Sequence, residues 1–342
     1  MVLPMSFSLG QDLPLRVDLG EFIFGDAPFS NCHASTIVDL PSGDLLAAWF
    51  GGLREGDNSV EIWLSRKEPG SANWDRPQQF TDFPEIPCWN PVLFRDPSNV
   101  LWLFFKIGPD PMSWVGAYRK SSDGGARWSE ISYLPAGQIG PVRCKPLCLK
   151  NGVILAGSSV EAGRQARASS PRPYWSWASW VERSTDQGKT WTIHGPITYP
   201  GVNFGLIQPT LWETADGRIR MLMRSTRLIG QICESISSDG GITWSPAKAT
   251  DLPNPNSGID AAKLKDGRVL LVYNHTRNGR SPLNLAVSYD DGERWEKSYV
   301  LEDEAAEFSY PAIIQAADGY VHITYTWKRV RIKHVVLDPK KL

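Results

Sequence analysis

An eight-residue pattern, S-x-D-x-G-x-x-W, recurs along this chain and constrains its fold more than any other feature. A degenerate fifth copy runs from Ser65 through Gly70 to Trp74 and lacks the aspartate. The four complete copies begin at Ser121, Ser184, Ser237 and Ser288. Their serines lie 51 to 63 residues apart. Self-similarity at a nearly fixed spacing of this size is typical of repeat architectures such as propellers and solenoids.

A second pattern alternates with the first: an apolar run, a turn that usually carries glycine, and another apolar run. It begins at Ser35, Pro91, Pro146, Pro209, Ala261 and Pro311. Asn-Gly and Asp-Gly turns between β-rich runs predict hairpins, because a tight hairpin needs positive φ in its turn. Six such units predict an all-β fold, a six-bladed β-propeller with four-stranded antiparallel blades. One domain then accounts for all 342 residues.

The S-x-D-x-G-x-x-W box has the chemistry of a turn. Its aspartate can accept hydrogen bonds from backbone N–H groups of the same turn, and its glycine supplies positive φ. Its tryptophan can cover the turn with a large apolar ring. We therefore predict a structural role for the boxes and look for chemistry elsewhere.

Charge and cysteine content exclude several classes of function. The 36 basic and 37 acidic residues give a net charge of -1, so the electrostatic footprint of a nucleic-acid-binding protein is missing. The five cysteines form no C-x-x-C pair, which argues against a disulfide framework and a zinc site. No sequence of about 18 apolar residues occurs, and Met1–Gln11 does not read as a secretory signal. We expect a cytoplasmic protein with no membrane partner, no metal and no cofactor.

Polar residues recur where each predicted inner strand begins, and such positions should point toward the propeller axis. They are His33, Asn90, Arg143 with Lys145, Gln208, Asp260 and Tyr310. The ends of the following strands and their loops add Arg224, Asn274, Arg54, Glu55, Asp57, Arg277 and Arg280. A longer segment, 161–180, is rich in Arg, Tyr and Trp. Aromatic loops on a rigid scaffold are usual places for sugar recognition, so we predict a carbohydrate partner.

The boxes resemble the Asp-boxes, or BNR repeats, of the sialidase (neuraminidase) superfamily, from about residue 30 onward. The resemblance implies a tyrosine nucleophile at Tyr310 and an acid/base aspartate at Asp57. It also implies that Arg224 and Arg280 are two of the three arginines that bind the substrate carboxylate, with Arg277 the weaker match for the second of these. These matches favour an exo-acting glycoside hydrolase on an acidic sugar.

Two positions depart from the sialidase pattern. His33-Ala34-Ser35 stands where a sialidase has the first arginine of its triad, and Gln208 stands where a glutamate would deprotonate the tyrosine. A tyrosine with an ordinary pKa of about 10 is a weak nucleophile at neutral pH, so a nearby carboxylate matters. Glu55, Glu234 or Glu307 would have to substitute for that glutamate.

Two other hypotheses keep the propeller and change its function. In a rhamnosyl-glucuronate lyase or rhamnosidase, His33 would serve as the acid/base, and Lys145 or Arg143 would neutralise a uronate carboxylate. In a non-catalytic carbohydrate-binding propeller, the same central pocket would bind a sugar without turnover. His33 as a buried core histidine is a further alternative, and the oligomeric state stays open.

Overall fold

A computed structural model describes residues 13–14, 17–164, 174–202 and 205–342, and these residues form six β-sheets. Each sheet is one blade of a six-bladed β-propeller with four antiparallel strands, which confirms the predicted fold, and the sheet of blade 5 carries a fifth, parallel strand at its outer edge. One 3₁₀ turn, Pro339–Lys341, follows the last strand. In the described residues, no helix has the length and apolar character needed to cross a membrane.

The strands follow the blades in chain order, apart from two at the N-terminus. These two are β1 (Leu13–Pro14) and β2 (Leu19–Phe22). Blade 1 has β3 (Asn31–Asp39), β4 (Leu45–Gly52), β5 (Glu61–Lys67) and β6 (Gln78–Gln79). Blade 2 has β7 (Cys88–Arg95), β8 (Leu101–Ile107), β9 (Val115–Ser121) and β10 (Ser132–Tyr133). Blade 3 has β11 (Leu147–Cys148), β12 (Ile154–Arg164), β13 (Tyr174–Ser184) and β14 (Thr192–Ile197). Blade 4 has β15 (Leu206–Glu213), β16 (Ile219–Ser225), β17 (Gln231–Ser237) and β18 (Lys248–Pro253). Blade 5 has β19 (Asp260–Lys263), β20 (Val269–Tyr273), β21 (Leu283–Ser288) and β22 (Lys297–Glu302). Blade 6 has β23 (Phe308–Gln315), β24 (Val321–Trp327) and β25 (Arg331–Leu337).

The N-terminal strands lie at the outer edges of the last two blades. Strand β2 pairs antiparallel with β25 and becomes the outermost strand of blade 6. Strand β1 pairs parallel with β22 at the outer edge of blade 5. The two ends of the chain therefore meet in one sheet, which closes the ring with backbone hydrogen bonds.

The boxes form turns between the third and fourth strands, as their chemistry predicts. In blade 3, the hydroxyl of Ser184 donates to Asp186 (2.9 Å) and accepts from the N–H of Gly188 (2.8 Å). Gly188 has φ 77°. A Cβ on Gly188 would stand 2.7 Å from the ring of Trp102 in blade 2, so only glycine fits this close approach between blades.

A β-bulge shapes the first strand of four blades near its start. The register of the pairing shifts there in blades 1, 2, 4 and 6. One residue in each bulge has positive φ: Ala34 (58°), Asn90 (40°), Gln208 (56°) and Tyr310 (52°). In blade 1 the equivalent residue is therefore Ala34, and His33 lies one position earlier. Bulges of this kind re-aim side chains next to functional sites.

The two faces of the propeller follow from this topology. We call the face where the first strand of each blade begins the upper face, and the face where that strand ends the lower face. Tyr310 lies near the start of β23 at the upper face, and Gln315 ends the strand at the lower face. At about 3.3 Å per residue, these two levels are roughly 15 Å apart.

Candidate functional site

The hydroxyl of Tyr310 is the point where side chains of two blades meet at the upper face. Arg224, near the end of β16, donates from Nη1 to this oxygen (2.7 Å), and Gln208 donates from Nε2 (3.2 Å). The same Nη1 of Arg224 also donates to Gln208 Oε1 (3.1 Å). Nε of Arg224 donates to Asn256 Oδ1 (2.8 Å), which fixes the plane of the guanidinium. Tyr310, Arg224 and Gln208 were each predicted from the sequence, and they lie together.

Three guanidinium groups surround the ring of Tyr310. Their central carbons lie 5.3 Å (Arg143), 5.7 Å (Arg224) and 5.6 Å (Arg280) from the ring centroid. Arg143 is 1% exposed and donates from Nη2 to the backbone carbonyl of Pro311, directly after the tyrosine. It therefore supports Tyr310 from inside the protein. Arg280 is partly exposed at the upper face and could contact a ligand.

The carboxylate of Glu307 bonds to Arg280 and also to Arg329, an arginine that the sequence did not indicate. Glu307 Oε1 accepts from Arg280 Nη1 (2.7 Å) and from Arg329 Nε (2.6 Å). Arg329 also donates from Nη1 to Glu55 Oε2 (2.7 Å). Burial raises the pKa of Glu307, but the charges of Arg280 and Arg329, together with hydrogen bonds from Ser309 and Arg329, hold its pKa below the usual value. Glu307 and Glu55 thus serve as partners of arginines.

Arg329 lies beside the position where blade 1 departs from the sialidase pattern. Its backbone carbonyl accepts from the N–H of Cys32 (2.8 Å), the residue before His33. It belongs to the turn between β24 and β25, about 300 residues along the chain from blade 1. Closure of the ring brings the two segments together. The only sequence signal was a basic residue in the last turn on the upper face.

His33 is a buried residue beneath the site. It is 1% exposed, its ring centroid lies 4.0 Å from that of Tyr310, and its Nδ1 bonds to Thr326 Oγ1 (2.9 Å). Burial lowers the pKa of His33 well below its usual value, and four arginines, first among them Arg329 and Arg280, lower it further. His33 is therefore neutral at physiological pH and packs against the back of the tyrosine.

The loop after β4 carries the acid/base residue implied by the resemblance. Hydrogen bonds from the hydroxyl (2.7 Å) and the N–H (2.9 Å) of Ser59 to Asp57 lower the pKa of that carboxyl. Arg54 is exposed in the same loop, and its positive charge acts in the same direction. Asp57 is therefore held ionised in the free protein.

Comparison with known proteins agrees with this architecture. The BNR repeat-like domain family matches residues 43–323 of the chain. The chain belongs to this family of BNR repeat proteins. The sialidase of Micromonospora viridifaciens is 26% identical to it over 91% of this chain, and that of Bacteroides fragilis is 21% identical over 94%. This BNR repeat protein spans only 52% and 66% of the lengths of those two relatives.

Solved structures show the same fold at low sequence identity. A protein of unknown function from Dyadobacter fermentans matches this BNR repeat protein with a TM-score of 0.74 and 19% identity, over 94% of this chain and 98% of that one. The NanB sialidase of Streptococcus pneumoniae matches with a TM-score of 0.71 and 15% identity, over 94% of this chain and 71% of that one. The sialidase-type propeller is therefore shared.

Four predicted ligand-binding residues of this BNR repeat protein have other surroundings. Asn274 is fully buried and bonds to Ser257 Oγ (2.6 Å) and to two backbone carbonyls, so we assign it to the support of the fold. Asp260 is 1% exposed and accepts from Thr210 Oγ1 (2.9 Å) and other donors. Lys145 donates to Asp260 Oδ2 (3.0 Å), on the side of the lower face. Asn90 lies at its bulge at the upper face, 5% exposed.

The predicted substitute base Glu234 and the aromatic segment 161–180 also have surroundings that the sequence did not indicate. Glu234 forms ion pairs with Arg220 (2.5 Å) and Lys248 (2.9 Å). These pairs hold its carboxylate away from the tyrosine, so it does not substitute for the missing base. Of segment 161–180, residues 165–173 lie outside the described residues. Glu161 is described and partly buried; burial raises the pKa of its carboxyl, Glu55 adds to this, and Arg224 opposes it. Glu161 is therefore a carboxyl whose charge interacts with that of Arg224, and the sequence did not indicate its role.

No group of three or more metal-binding side chains occurs within the described part of the chain. Four of the five cysteines are buried, and burial raises the pKa of all five thiols. The described side chains at the upper face that bear ionisable groups include Tyr310, Glu307, Arg224 and Arg280.

Proposed function

We propose that this protein is a sialidase-type exo-glycoside hydrolase that removes a terminal acidic sugar. The observation that carries the proposal is the 2.7 Å contact between Arg224 and the hydroxyl of Tyr310, with Arg280 beside the same ring. Arginine binds a carboxylate with two parallel hydrogen bonds. A sugar with a carboxylate at its anomeric carbon would thus bring that carbon next to the phenolic oxygen.

The reaction would proceed in two displacements. The oxygen of Tyr310 attacks the anomeric carbon and releases its proton to solvent water, the glycosidic C–O bond breaks, and an acid protonates the leaving oxygen. Water then attacks the same carbon and releases the tyrosine, so the configuration is retained. Arg224 would stabilise the departing phenolate. A neutral nucleophile that acts next to the substrate carboxylate avoids the repulsion that a second carboxylate would meet there.

Arg329 would replace the carboxylate-binding arginine that blade 1 lacks. It shares Glu307 with Arg280, and both arginines are about a fifth exposed (22% and 23%). Such a pair is accessible to a ligand and already desolvated in part. Three arginines would then face the substrate: Arg224, Arg280 and Arg329.

The proton donor to the leaving group has two candidates with opposite environments. Asp57 matches the position of the family's acid, but the hydrogen bonds from Ser59 hold it ionised in the free protein. Glu161 has the raised pKa that favours a proton donor at neutral pH. Asp57→Asn and Glu161→Gln distinguish them, because loss of the true acid should hardly slow substrates with a very good leaving group.

The lyase hypothesis has little support from either of its two cations. His33 bonds to Thr326 and Lys145 to Asp260, and the two share no contact among the described residues. Arg143 is 1% exposed and donates to the carbonyl of Pro311, so it does not face a ligand. A uronate site would need His33 and one of these cations at one carbon. A non-catalytic binder remains as the outcome of the experiment below.

Tyr310→Phe tests the proposal directly. Purified protein is incubated with sialosides and uronides, and the products are identified by their masses in mass spectrometry. We expect released sugar with one added water from the wild type, and a rate at least about a thousandfold lower from Tyr310→Phe. Binding, measured by calorimetry, should persist in the variant, and its melting temperature controls for folding. Binding without turnover in the wild type would instead identify a carbohydrate-binding propeller.

A further inference from the structure

The lower end of the central channel holds a cavity that the upper site does not use. Its volume is about 540 Å³, within the range of roughly 300–1,000 Å³ that small-molecule sites occupy. Its lining comes from the last residues of the first strands and from the turns that follow them. It therefore lies toward the opposite face of the propeller from Tyr310, whose backbone is roughly 15 Å from the end of its strand.

The wall of this lower cavity is mostly apolar. Side chains from blades 1, 2, 3, 4 and 6 contribute to it, among them Ile37, Leu93, Leu147, Leu211 and Ile314. An enclosed apolar wall with a few convergent polar groups is the usual composition of a small-molecule site. The body of a ligand here would be a hydrocarbon chain or ring.

Lys145 provides a cationic group among the lining residues. Its Nζ donates to Asp260 Oδ2 (3.0 Å) and to the carbonyl of Ala261 (2.8 Å). An ammonium group has three donors, so one remains after these two bonds. Asp260 is also bonded by Thr210 Oγ1 (2.9 Å) and by the N–H of Ile313 (3.0 Å), which fixes the carboxylate and, through it, the lysine.

The remaining charges of the lining favour an anion. Arg95 pairs with Asp39 (3.4 Å), and Lys263 pairs with Asp291 (2.5 Å). Lys150 and Lys265 pair with no carboxylate in the part of the chain that the structure describes. One acidic lining residue, Glu213, opposes the charge of these two lysines. When the ion pairs are left out, the net charge of the lining is therefore positive.

We propose that the lower cavity binds a small carboxylic acid with an apolar body. The hydrocarbon part would lie against the apolar wall, and the carboxylate would accept hydrogen bonds from Lys145 and from Lys150 or Lys265. The lining of this cavity includes neither Tyr310 nor the arginines that surround its ring. The binding is therefore independent of catalysis.

Calorimetric titration of the full chain at pH 7.5 tests this site with three ligands of one chain length: octanoate, octanol and octylamine. We expect octanoate to bind most tightly and octylamine most weakly. At least one of the variants Lys150→Gln and Lys265→Gln should weaken octanoate by up to about tenfold, and both should leave octanol unchanged. Lys189→Gln is the matched control, since Lys189 is exposed in the box of blade 3 and is not part of the lining.

Several outcomes would overturn the proposal. If octylamine bound as tightly as octanoate or more tightly, the negative charges of Glu213 and Asp39 would dominate the electrostatic potential of the cavity. No heat from octanoate at millimolar concentration, or equal affinity in the two lysine variants and the wild type, would show that the cavity is not an acid site. Tyr310→Phe should bind octanoate as the wild type does; a loss there would mean that the upper site was the one measured.

Discussion

At the scale of single residues, Tyr310 combines an unfavourable backbone conformation with a crowded cationic environment. Its φ of 52° lies in the left-handed region, which costs a non-glycine residue about 1–2 kcal/mol. Arg143, bonded to the carbonyl of Pro311, holds the bulge that imposes this conformation. Residues kept in such conformations cluster at active sites, because the surrounding structure must compensate for the strain. The geometry of the tyrosine is therefore built in before any ligand arrives.

Arg329→Gln should separate binding from chemistry. Under the proposed function Arg329 contacts the substrate carboxylate, so we expect KM to rise about tenfold or more, with a smaller change in kcat. Removal of this cation should also free Glu55. Steady-state kinetics on the best substrate of the panel gives both constants.

Arg331→Gln is the matched control for this prediction. Arg331 lies two residues further along, and its guanidinium packs over the ring of Phe22 (4.9 Å) rather than against Glu307. Its kinetic constants should stay within about twofold of the wild type. An equal rise of KM in both variants would contradict a specific role for Arg329.

Sequence reasoning at this scale predicted three residues at equivalent strand positions, and the structure brings their side chains together. Tyr310, Arg224 and Gln208 follow from aligning strand starts and ends. His33 was aligned one position wrong, because a bulge is invisible in a pattern of apolar runs. Arg329 was missed because its proximity to blade 1 depends on closure of the ring, which no local pattern encodes.

At the scale of elements, the boxes define the lower turns of the blades and leave the upper loops free to vary. In blade 4, the hydroxyl of Ser237 accepts from Gly241 N–H (2.9 Å) and donates to Asp239 (2.8 Å), and Asp239 accepts from the N–H of Thr243 (2.8 Å). These bonds repeat in the other complete boxes. The sequence predicted this element well, because the whole motif lies within eight residues.

Ser237→Ala should destabilise the protein without affecting its chemistry. The serine is 1% exposed, and its loss leaves the buried N–H of Gly241 without its acceptor, which costs about 1–3 kcal/mol. Ser238→Ala, at the exposed neighbouring position, is the control and should change stability by less than about 0.5 kcal/mol. Urea unfolding measures both. Equal stability of the two variants would show that the box hydroxyl is dispensable.

At the scale of the whole molecule, one carboxylate connects the two ends of the ring. Glu21, in β2, accepts from Lys67 of blade 1 (2.7 Å) and from the indole of Trp74 (2.9 Å), and it bonds to His334 of blade 6 (2.9 Å). His334 in turn bonds to His322 Nδ1 (3.0 Å). The sequence did not predict this closure, because the pairing joins segments more than 300 residues apart in the chain.

This closure should make the stability of the propeller sensitive to acid. Burial lowers the pKa of His322 to about 4, with a further contribution from the charge of His334, and burial also lowers the pKa of His334. Asp318 and Asp39 oppose the shift of His322, and Glu21 opposes that of His334. In the unfolded chain these histidines have pKa values near 6.5 and bind protons first. Their contribution to stability is therefore complete above about pH 6.5 and is lost as the pH falls toward 4.

His322→Gln removes one of these titrating groups and should flatten the pH dependence. The free energy of unfolding of the wild type should fall between pH 7 and pH 4.5, and the variant should lose on the order of 2 kcal/mol less over that interval. His194→Gln, at the outer edge of blade 3, is the control and should retain the wild-type slope. Urea unfolding at four pH values gives the slopes. Parallel slopes in all three proteins would place the acid sensitivity outside the closure, in groups such as His33 beneath the tyrosine, and would separate the stability of the ring from that of its site.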